Sequence, residues 1–214
     1  MFSLGTLLLG TGAMAGRWGQ MAKSKSRSKR SPSKVERADL KVTRAVGIDK
    51  THPLGRWLRR FAELGDQPPL VGLSLAVVAA GLAGRNARLR RTGMRMLTAH
   101  SLSTIAKLIG KDSIDRTRPG ALGEKKYRLE QGDSRDGRLR SMPSGHSAGI
   151  VAIAGAIVAD YPRALIPAAA ASAAVGAAQV PSRNHYLSDV VVGAAIGLIV
   201  AGLARGLIPP HGRT

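Results

Sequence analysis

The chain has 214 residues, of which 33 are Lys or Arg and 13 are Asp or Glu, so its formal net charge is +20 at pH 7. It contains no cysteine, which excludes disulfides and thiolate metal sites. Such a charge predicts an anionic partner or substrate, either a nucleic acid, a membrane surface or a phosphate ester. Aromatic residues make up only 3% of the chain, which argues against a nucleic-acid partner bound by base stacking.

The N-terminal quarter predicts little folded structure. Met1 to Gly16 is apolar but lacks the preceding basic residues of a signal peptide, so it is interpreted as a membrane-touching helix or a disordered start. Arg17 to Lys50 is basic and Ser-rich, and we expect a disordered tail that is either solvated or held by anionic lipid head groups. The predicted divisions are therefore a tail over 1–50, a folded domain over 51–209 and a short polar tail over 210–214.

Leu54 to Leu64 predicts an amphipathic helix. Its apolar side chains recur at helical spacing and its arginines fall elsewhere. A basic amphipathic helix with a tryptophan is typical of a membrane interface, and a helix of a soluble core is the alternative.

Four apolar stretches follow, at Leu70 to Gly84, Ser147 to Ala159, Ala164 to Val180 and Val190 to Ala204, with a mixed stretch at Met96 to Gly110. Each apolar stretch falls short of the roughly 20 residues that span a bilayer, but four of them are hard to cover with the remaining polar residues. We therefore predict an all-α, integral-membrane bundle of about five or six helices. The Gly193 and Gly197 pair predicts a close helix contact.

Polar residues that can bind phosphate or take part in its transfer cluster at the ends of these helices. Lys111 and Arg118 offer cationic donors to phosphate oxygens. Ser144 and Gly145 precede an apolar helix, whose N-terminal N–H groups form an anion site, and His146 beside them can donate a proton.

The third cluster supplies a candidate nucleophile. His185 and Asp189 are four residues apart, so a carboxylate can hold the imidazole tautomer and direct one nitrogen outward. An even number of predicted crossings separates the three clusters, so all can meet on one face of a membrane. The other histidines, such as His52 and His100, are interpreted as structural.

In order along the chain, Lys-x6-Arg-Pro, Pro-Ser-Gly-His and His-x3-Asp resemble the motifs of the type 2 phosphatidic acid phosphatase family. Its superfamily also includes bacterial non-specific acid phosphatases and vanadium haloperoxidases. The resemblance covers roughly Leu64 to Arg205. It implies a nucleophile at His185 oriented by Asp189, a proton donor at His146, phosphate binding by Lys111, Arg118, Ser144 and Gly145, and no metal or other cofactor.

One motif departs from the family. The family's third motif places Ser-Arg six residues before the histidine, but Ala178 and Gln179 stand at those positions. Ser182 and Arg183 form such a pair close to His185. Either the site works with one guanidinium fewer, or Arg183 replaces part of the missing charge, which is the hypothesis we adopt.

Three functions follow from these patterns. The first is an enzyme that hydrolyses a lipid phosphate or diphosphate monoester through a phospho-histidine. The second is a membrane-anchored protein that binds anionic lipid or nucleic acid with a degenerate domain, and the third is a haloperoxidase. For the enzyme, the resemblance implies a bacterial inner membrane with the site on the outer, periplasmic face, although the basic segment before Arg60 favours the cytoplasmic side.

Overall fold

The computed structural model describes residues 31–49, 51–123 and 125–209. The described residues from Ser33 onward form one compact unit. The predictions for Met1 to Gly16, for the first part of the basic tail (17–30) and for 210–214 lie outside the described residues.

The described residues are mostly helical. Seven α-helices occur within them, together with one small antiparallel sheet in which Asp115 lies opposite Glu130. The helices are α1 (Lys34–Val46), α2 (Pro53–Ala62), α3 (Gln67–Ala83), α4 (Ala87–Lys111), α5 (Gly145–Asp160), α6 (Leu165–Ala178) and α7 (Leu187–Leu207), and the strands are β1 (Ile114–Arg116) and β2 (Leu129–Gln131). The predicted helical bundle is confirmed, whereas the number of helices was too low and the short hairpin was not predicted.

Helix α1 corrects the prediction of disorder over Arg17 to Lys50. Ser33 and Glu36 form a capping box in which each side chain binds the other residue's backbone N–H. Asp39 is buried, with 4% of its surface exposed, and its carboxylate binds groups elsewhere in the domain. The prediction weighed the excess of basic residues and missed that two acidic side chains anchor this helix to the fold.

The centre of the bundle is formed by α4, α5 and α7. The core contains Leu70, Met96, Ala99, Ala152, Ile153, Ala156, Val200 and Ala204. Helices α5 and α7 approach closely because α7 presents glycines: a Cβ on Gly197 would lie 2.7 Å from the carbonyl oxygen of Ala148. The predicted role of Gly193 and Gly197 in close packing is confirmed.

A buried ionic cluster ties the helices together at the end where α5 and α7 finish. The carboxylate of Asp160 lies 2.7 Å from Arg95 and 3.1 Å from Arg91, and it accepts a hydrogen bond from Thr92 (2.8 Å). Arg95 also donates to the carbonyl of Ile208 (2.7 Å). The opposite end is left for the functional groups.

The outer surface of the bundle is apolar. Large side chains such as Ile109, Ile166 and Leu198 are between 64% and 80% exposed. Helix α7 alone is long and apolar enough to cross a membrane among the described helices, and only 33% of its apolar window is buried. Helix α2 with its short extension to Gly65 bends by 46° into α3, and the two together could form a second, broken span.

Helix α2 lies with its aromatic side exposed. Trp57 is 58% exposed and stacks on Phe61 with 5.4 Å between ring centroids. A soluble-core helix would bury this face, so the exposure favours the membrane-interface alternative. His52 caps the helix by accepting a hydrogen bond from the Leu54 N–H (3.2 Å), which confirms its structural interpretation.

Candidate active site

A cleft opens between the start of α3, the end of α4 and the start of α5. Five of the eight predicted site residues line it: Lys111, Arg118, Gly145, His146 and His185. The structure therefore brings together side chains from all three motifs. The other three predicted residues, Asp189, Ser144 and Arg183, are not on the cleft wall.

His185 is held by its Nδ1 atom. The loop before α7 places this nitrogen 2.7 Å from the carbonyl oxygen of Ser141 and 3.7 Å from a carboxylate oxygen of Asp189. Because a carbonyl only accepts hydrogen bonds, Nδ1 carries the proton and Nε2 keeps its lone pair. The nitrogen left for the cleft is thus the nucleophilic one.

Burial also favours the neutral form of His185. The side chain is 1% exposed, and this desolvation lowers the pKa of His185 below its ordinary value although Asp189 opposes the shift. An uncharged imidazole near neutral pH is what a nucleophile requires.

Asp189 lies in a second layer behind His185, where several donors fix its carboxylate. Its Oδ2 atom accepts two hydrogen bonds, one from the Ser141 hydroxyl (2.6 Å) and one from the Tyr186 N–H (2.9 Å). Its Oδ1 atom accepts a hydrogen bond from the Arg116 guanidinium. Arg116 also binds Asp39 of α1, at 2.7 Å. The carboxylate that orients the imidazole is therefore itself immobilised.

The sequence reasoning missed Arg116, Ser141 and Asp39. Arg116 stands inside the first motif segment, but nothing in its spacing distinguishes it from its neighbours. Arg116 is 1% exposed, and its guanidinium carbon lies over the aromatic ring of Tyr186, 4.2 Å from the ring centroid.

The cationic wall is made by Lys111 and Arg118. Lys111, the last residue of α4, has no ion-pair or hydrogen-bond partner within the described part of the chain. Arg118 is held in place by its own donors, which bind the carbonyls of Gly137 (2.9 Å) and Arg140 (3.4 Å). Burial lowers the pKa of Arg118 below its ordinary value and the pKa of Lys111 to about 8, and a guanidinium stays protonated in proteins. Both cations therefore face the cleft with charge to spare for an anion.

His146 faces His185 across the cleft, with 6.1 Å between the ring centroids. Burial, followed by the nearby His185, lowers the pKa of His146 to about 4, although the carboxylate of Asp66, 4.0 Å from Nε2, opposes the shift. A bound anion would oppose it further, because a negative charge beside the ring favours the protonated imidazole. Gly145 leaves room beside it, because a Cβ there would collide with the Lys107 side chain. An anion held between the two rings would have a nucleophile on one side and a proton donor on the other.

Ser144 does not take the predicted phosphate-binding position. Its hydroxyl accepts a hydrogen bond from the Ser147 N–H (3.3 Å) as the N-cap of α5, and its own N–H donates to the carbonyl of Asp189 (3.1 Å). The hydroxyl still has a proton to donate, but Ser144 is buried and does not line the cleft, so the cleft-lining part of this helix start begins at Gly145.

Arg183 does not line the cleft. Its guanidinium lies 3.5 Å from the Pro119 carbonyl, its aliphatic part lies beside Gly47, and its backbone is left-handed, with a φ of 59°. Gln179 is fully buried and connects Ala62 and Asn184 through its amide. The substitution has exchanged a charge for a structural bridge between α6 and α2.

Among the described residues, no group of three histidine or carboxylate side chains could hold a metal ion. The charge that would neutralise an anion in this cleft comes from Lys111, Arg118 and the start of α5.

A family model described as the PAP2 superfamily matches residues 92–212, which is more than half of the chain. The chain belongs to the PAP2 superfamily. The match includes every predicted site residue, and it confirms the resemblance drawn from the three motifs.

Two solved PAP2-fold structures are similar to the chain. One is a transmembrane PAP2-type phosphatidylglycerolphosphate phosphatase from Bacillus subtilis, with 22% identity and a TM-score of 0.61; the match covers 82% of this chain and 87% of that one. The other is LpxE from Aquifex aeolicus, with 22% identity and a TM-score of 0.58, covering 78% and 94%. A search of curated protein sequences gives no match. At this identity the two structures establish the shared PAP2 fold.

Proposed function

We propose that this PAP2 protein is a membrane phosphatase that hydrolyses a lipid phosphate or diphosphate monoester through a phospho-histidine at His185, without a metal. The observation that carries the proposal is the Nδ1 contact of His185 with Ser141, at 2.7 Å. It leaves Nε2 as a nucleophile beside two cations and opposite a proton donor.

In the first step, Nε2 of His185 attacks the phosphorus atom in line with the ester oxygen. The N–P bond forms, the P–O bond to the lipid breaks, and His146 gives its proton to the departing oxygen. Lys111 and Arg118, with the N–H groups at the start of α5, bind the non-bridging oxygens and stabilise their charge in the transition state.

In the second step, His146 accepts a proton from a water molecule whose oxygen attacks the phosphorus. The N–P bond breaks, phosphate leaves, and His185 regains its lone pair. Asp189 and the Ser141 carbonyl stabilise the imidazole while it carries the phosphoryl group. A degenerate binding protein would have no need of this oriented pair.

The apolar outer surface of the bundle supports a lipid as the substrate. The bundle exposes large apolar side chains on its outside, and α7 buries only a third of its apolar window, as expected for helices in contact with acyl chains. A soluble phosphate ester would not require such a surface. The proposed binding of anionic head groups by the basic tail concerns residues outside the described ones.

We place the cleft on the outer face of a bacterial inner membrane. The short connections at the opposite end, 84–86 and 160–164, and the helix ends beside them carry Arg85, Arg88, Arg90, Arg163 and Arg205. Basic residues in short loops favour the cytoplasm, although α1 and α2 add basic side chains on the cleft side. Because the chain has no cysteine, labelling of Ser134→Cys and of Arg85→Cys by an impermeant reagent tests the orientation. In intact cells we expect the reagent to label Ser134→Cys and not Arg85→Cys. Labelling of Arg85→Cys alone would show that the cleft faces the cytoplasm.

The function is tested by phosphate release from a panel of lipid phosphates by the purified full-length protein in EDTA. We expect turnover that vanadate inhibits, because vanadate mimics the five-coordinate transition state, and loss of turnover in His185→Ala. Activity that needs added Mg²⁺, or a fully active His185→Ala variant, would overturn the proposal.

A further inference from the structure

Asp66 is the one acidic residue among the described residues that line the cleft. The site of an anionic substrate has a physical reason to exclude a carboxylate, because two negative charges repel each other and weaken binding. Asp66 belongs to none of the three motifs and takes no part in the two steps proposed above. A carboxylate in this position therefore needs another explanation.

The ordinary role of an aspartate at the start of a helix is capping, and Asp66 does not fill that role. It is the N-cap of α3, where an aspartate normally accepts a hydrogen bond from the backbone N–H of the second or third helical residue. Those two residues are Pro68 and Pro69, which have no N–H to donate. The Asp66 side chain accordingly makes no capping hydrogen bond, and its carboxylate is left for a different contact.

The contact that Asp66 makes across the cleft is with His146. Its Oδ1 atom lies 4.0 Å from Nε2 of the imidazole, and contacts of this kind often shorten when a substrate binds. Both neighbours of Asp66 in the chain support the approach. Gly65 permits it, because a Cβ there would lie 3.2 Å from the Cβ of His146. Gln67 donates a hydrogen bond to the Thr104 hydroxyl at 3.0 Å and so joins the start of α3 to α4.

Among the described groups that face the His146 ring, Asp66 alone favours its positive charge. The others are His185, Lys111 and Arg118, and each of them disfavours a protonated imidazole. Burial lowers the pKa of His146 most, these neighbours lower it further, and Asp66 opposes them. A general acid must carry its proton when the ester oxygen departs, so the carboxylate acts in the direction that the first step requires.

We propose that Asp66 is a positioning residue for His146, whose imidazole it holds in the cleft and whose protonated form it stabilises. It does so before His146 gives its proton to the ester oxygen and again when His146 takes a proton from water. Asp66 itself gains and loses no proton. The inference rests on the proposed phosphatase function and deepens it. The start of α3, which lies outside the three motifs, thus supports the acid as Asp189 supports the nucleophile.

The first test measures the pKa of His146 directly. The full-length protein is labelled with ¹³C-histidine, and its five histidines are followed by NMR through a pH titration in detergent and inorganic phosphate, with His146→Ala to identify the signal. Asp66→Asn should lower the pKa of His146, because the protonated ring loses a negative partner. The control is Glu63→Gln, the same change at an exposed position outside the cleft, which should leave that pKa unchanged.

The second test is a double-mutant cycle in kcat/KM. It uses p-nitrophenyl phosphate and the lipid that the wild-type protein hydrolyses fastest among phosphatidic acid, phosphatidylglycerol phosphate and a polyprenyl phosphate. Asp66→Asn should lower kcat/KM for the lipid roughly 3- to 10-fold and change it little for the aryl ester, whose leaving group needs no proton. In the His146→Ala background the same substitution should cause no further loss, because Asp66 acts through His146. Asp66→Glu, which keeps the charge, should retain more activity than Asp66→Asn.

An unchanged pKa of His146 in Asp66→Asn would overturn the assignment whether or not the protein is active. Equal losses on the lipid and the aryl ester, or a full further loss in the His146→Ala background, would overturn it while leaving the phosphatase in place. If the wild-type protein hydrolyses none of the lipids, the proposed function falls and the catalytic role of Asp66 with it.

Discussion

Asp39 and Asp189, which are 150 residues apart in the chain, bind the same guanidinium group, that of Arg116. Asp39 belongs to α1 and Asp189 to α7, and Asp39 also accepts a hydrogen bond from the Ser188 N–H at 3.0 Å. The N-terminal helix is thereby connected to the carboxylate that orients the proposed nucleophile. Helix α1, whose basic composition predicted a disordered tail, therefore helps to hold Asp189 in place through Arg116.

We therefore expect Asp39→Asn to lower both stability and kcat. Removing one charge from a buried ion pair costs on the order of 3 kcal/mol, and a misplaced Asp189 should lower kcat roughly 10-fold with little change in KM. Thermal unfolding and steady-state kinetics in the same detergent measure both effects. Lys41→Ala, on the exposed side of α1, is the control; equal effects of the two variants would remove the link between α1 and the site.

His146→Ala should show a leaving-group effect. General acid catalysis contributes roughly 10²- to 10⁴-fold for an alkyl ester, whose departing oxygen needs a proton. An aryl phosphate such as p-nitrophenyl phosphate has a good leaving group, so the variant should retain much more of its activity with that substrate. Equal losses with alkyl and aryl substrates would indicate that His146 binds phosphate instead of donating a proton.

The acid side of the pH profile should reflect His185. Burial lowers the pKa of His185 from 6.5, and only the neutral ring is nucleophilic, so the acid limb of kcat/KM should lie below pH 6.5. Asp189 raises the pKa of His185, so Asp189→Asn should move the acid limb to still lower pH while reducing the maximum rate. An acid limb of the kcat/KM profile above pH 7 would contradict the assignment of that limb to His185. An acid limb that does not move in Asp189→Asn would contradict it as well.

The contact between α5 and α7 gives a prediction with a matched control. In Gly197→Ala the new methyl group would lie 2.7 Å from the Ala148 carbonyl oxygen, and we expect a loss of about 1–3 kcal/mol from overpacking. In Gly202→Ala, on the same helix, no atom lies within 4 Å of the new group, so stability should be unchanged or slightly higher. Similar unfolding temperatures for both variants would show that α5 and α7 are more loosely packed.

Features that depend on neighbours in the chain could be predicted from the sequence. The apolar stretches became α3, α5, α6 and α7, the glycine pair became a helix contact, and five motif residues meet in one cleft. The features that were missed depend on distant partners. Arg116 differs from the other arginines only in its contacts with Asp39 and Asp189, which are distant from it in the chain.

Two of the predicted phosphate-binding residues lie off the cleft wall for local reasons. Ser144 precedes a helix, and the same position makes it the N-cap of α5. Whether Arg183 reaches the phosphate depends on the conformation of its segment, and the chain turns there through a left-handed residue instead of continuing as a helix. Spacing along the chain therefore identified the cleft but could not show which way each side chain points.

In the proposed mechanism His185 carries a covalent phosphoryl group between the two steps. The most direct measurement is trapping it with a lipid or aryl phosphate labelled with ³²P, quenching in alkali because phospho-histidine is acid-labile, and mapping the modified residue by mass spectrometry. We predict a base-stable label on His185 that accumulates in His146→Ala, which lacks the base for the second step, and that is absent in His185→Ala. Phosphate release by a His185→Ala variant, or turnover with the label on another residue, would contradict the mechanism.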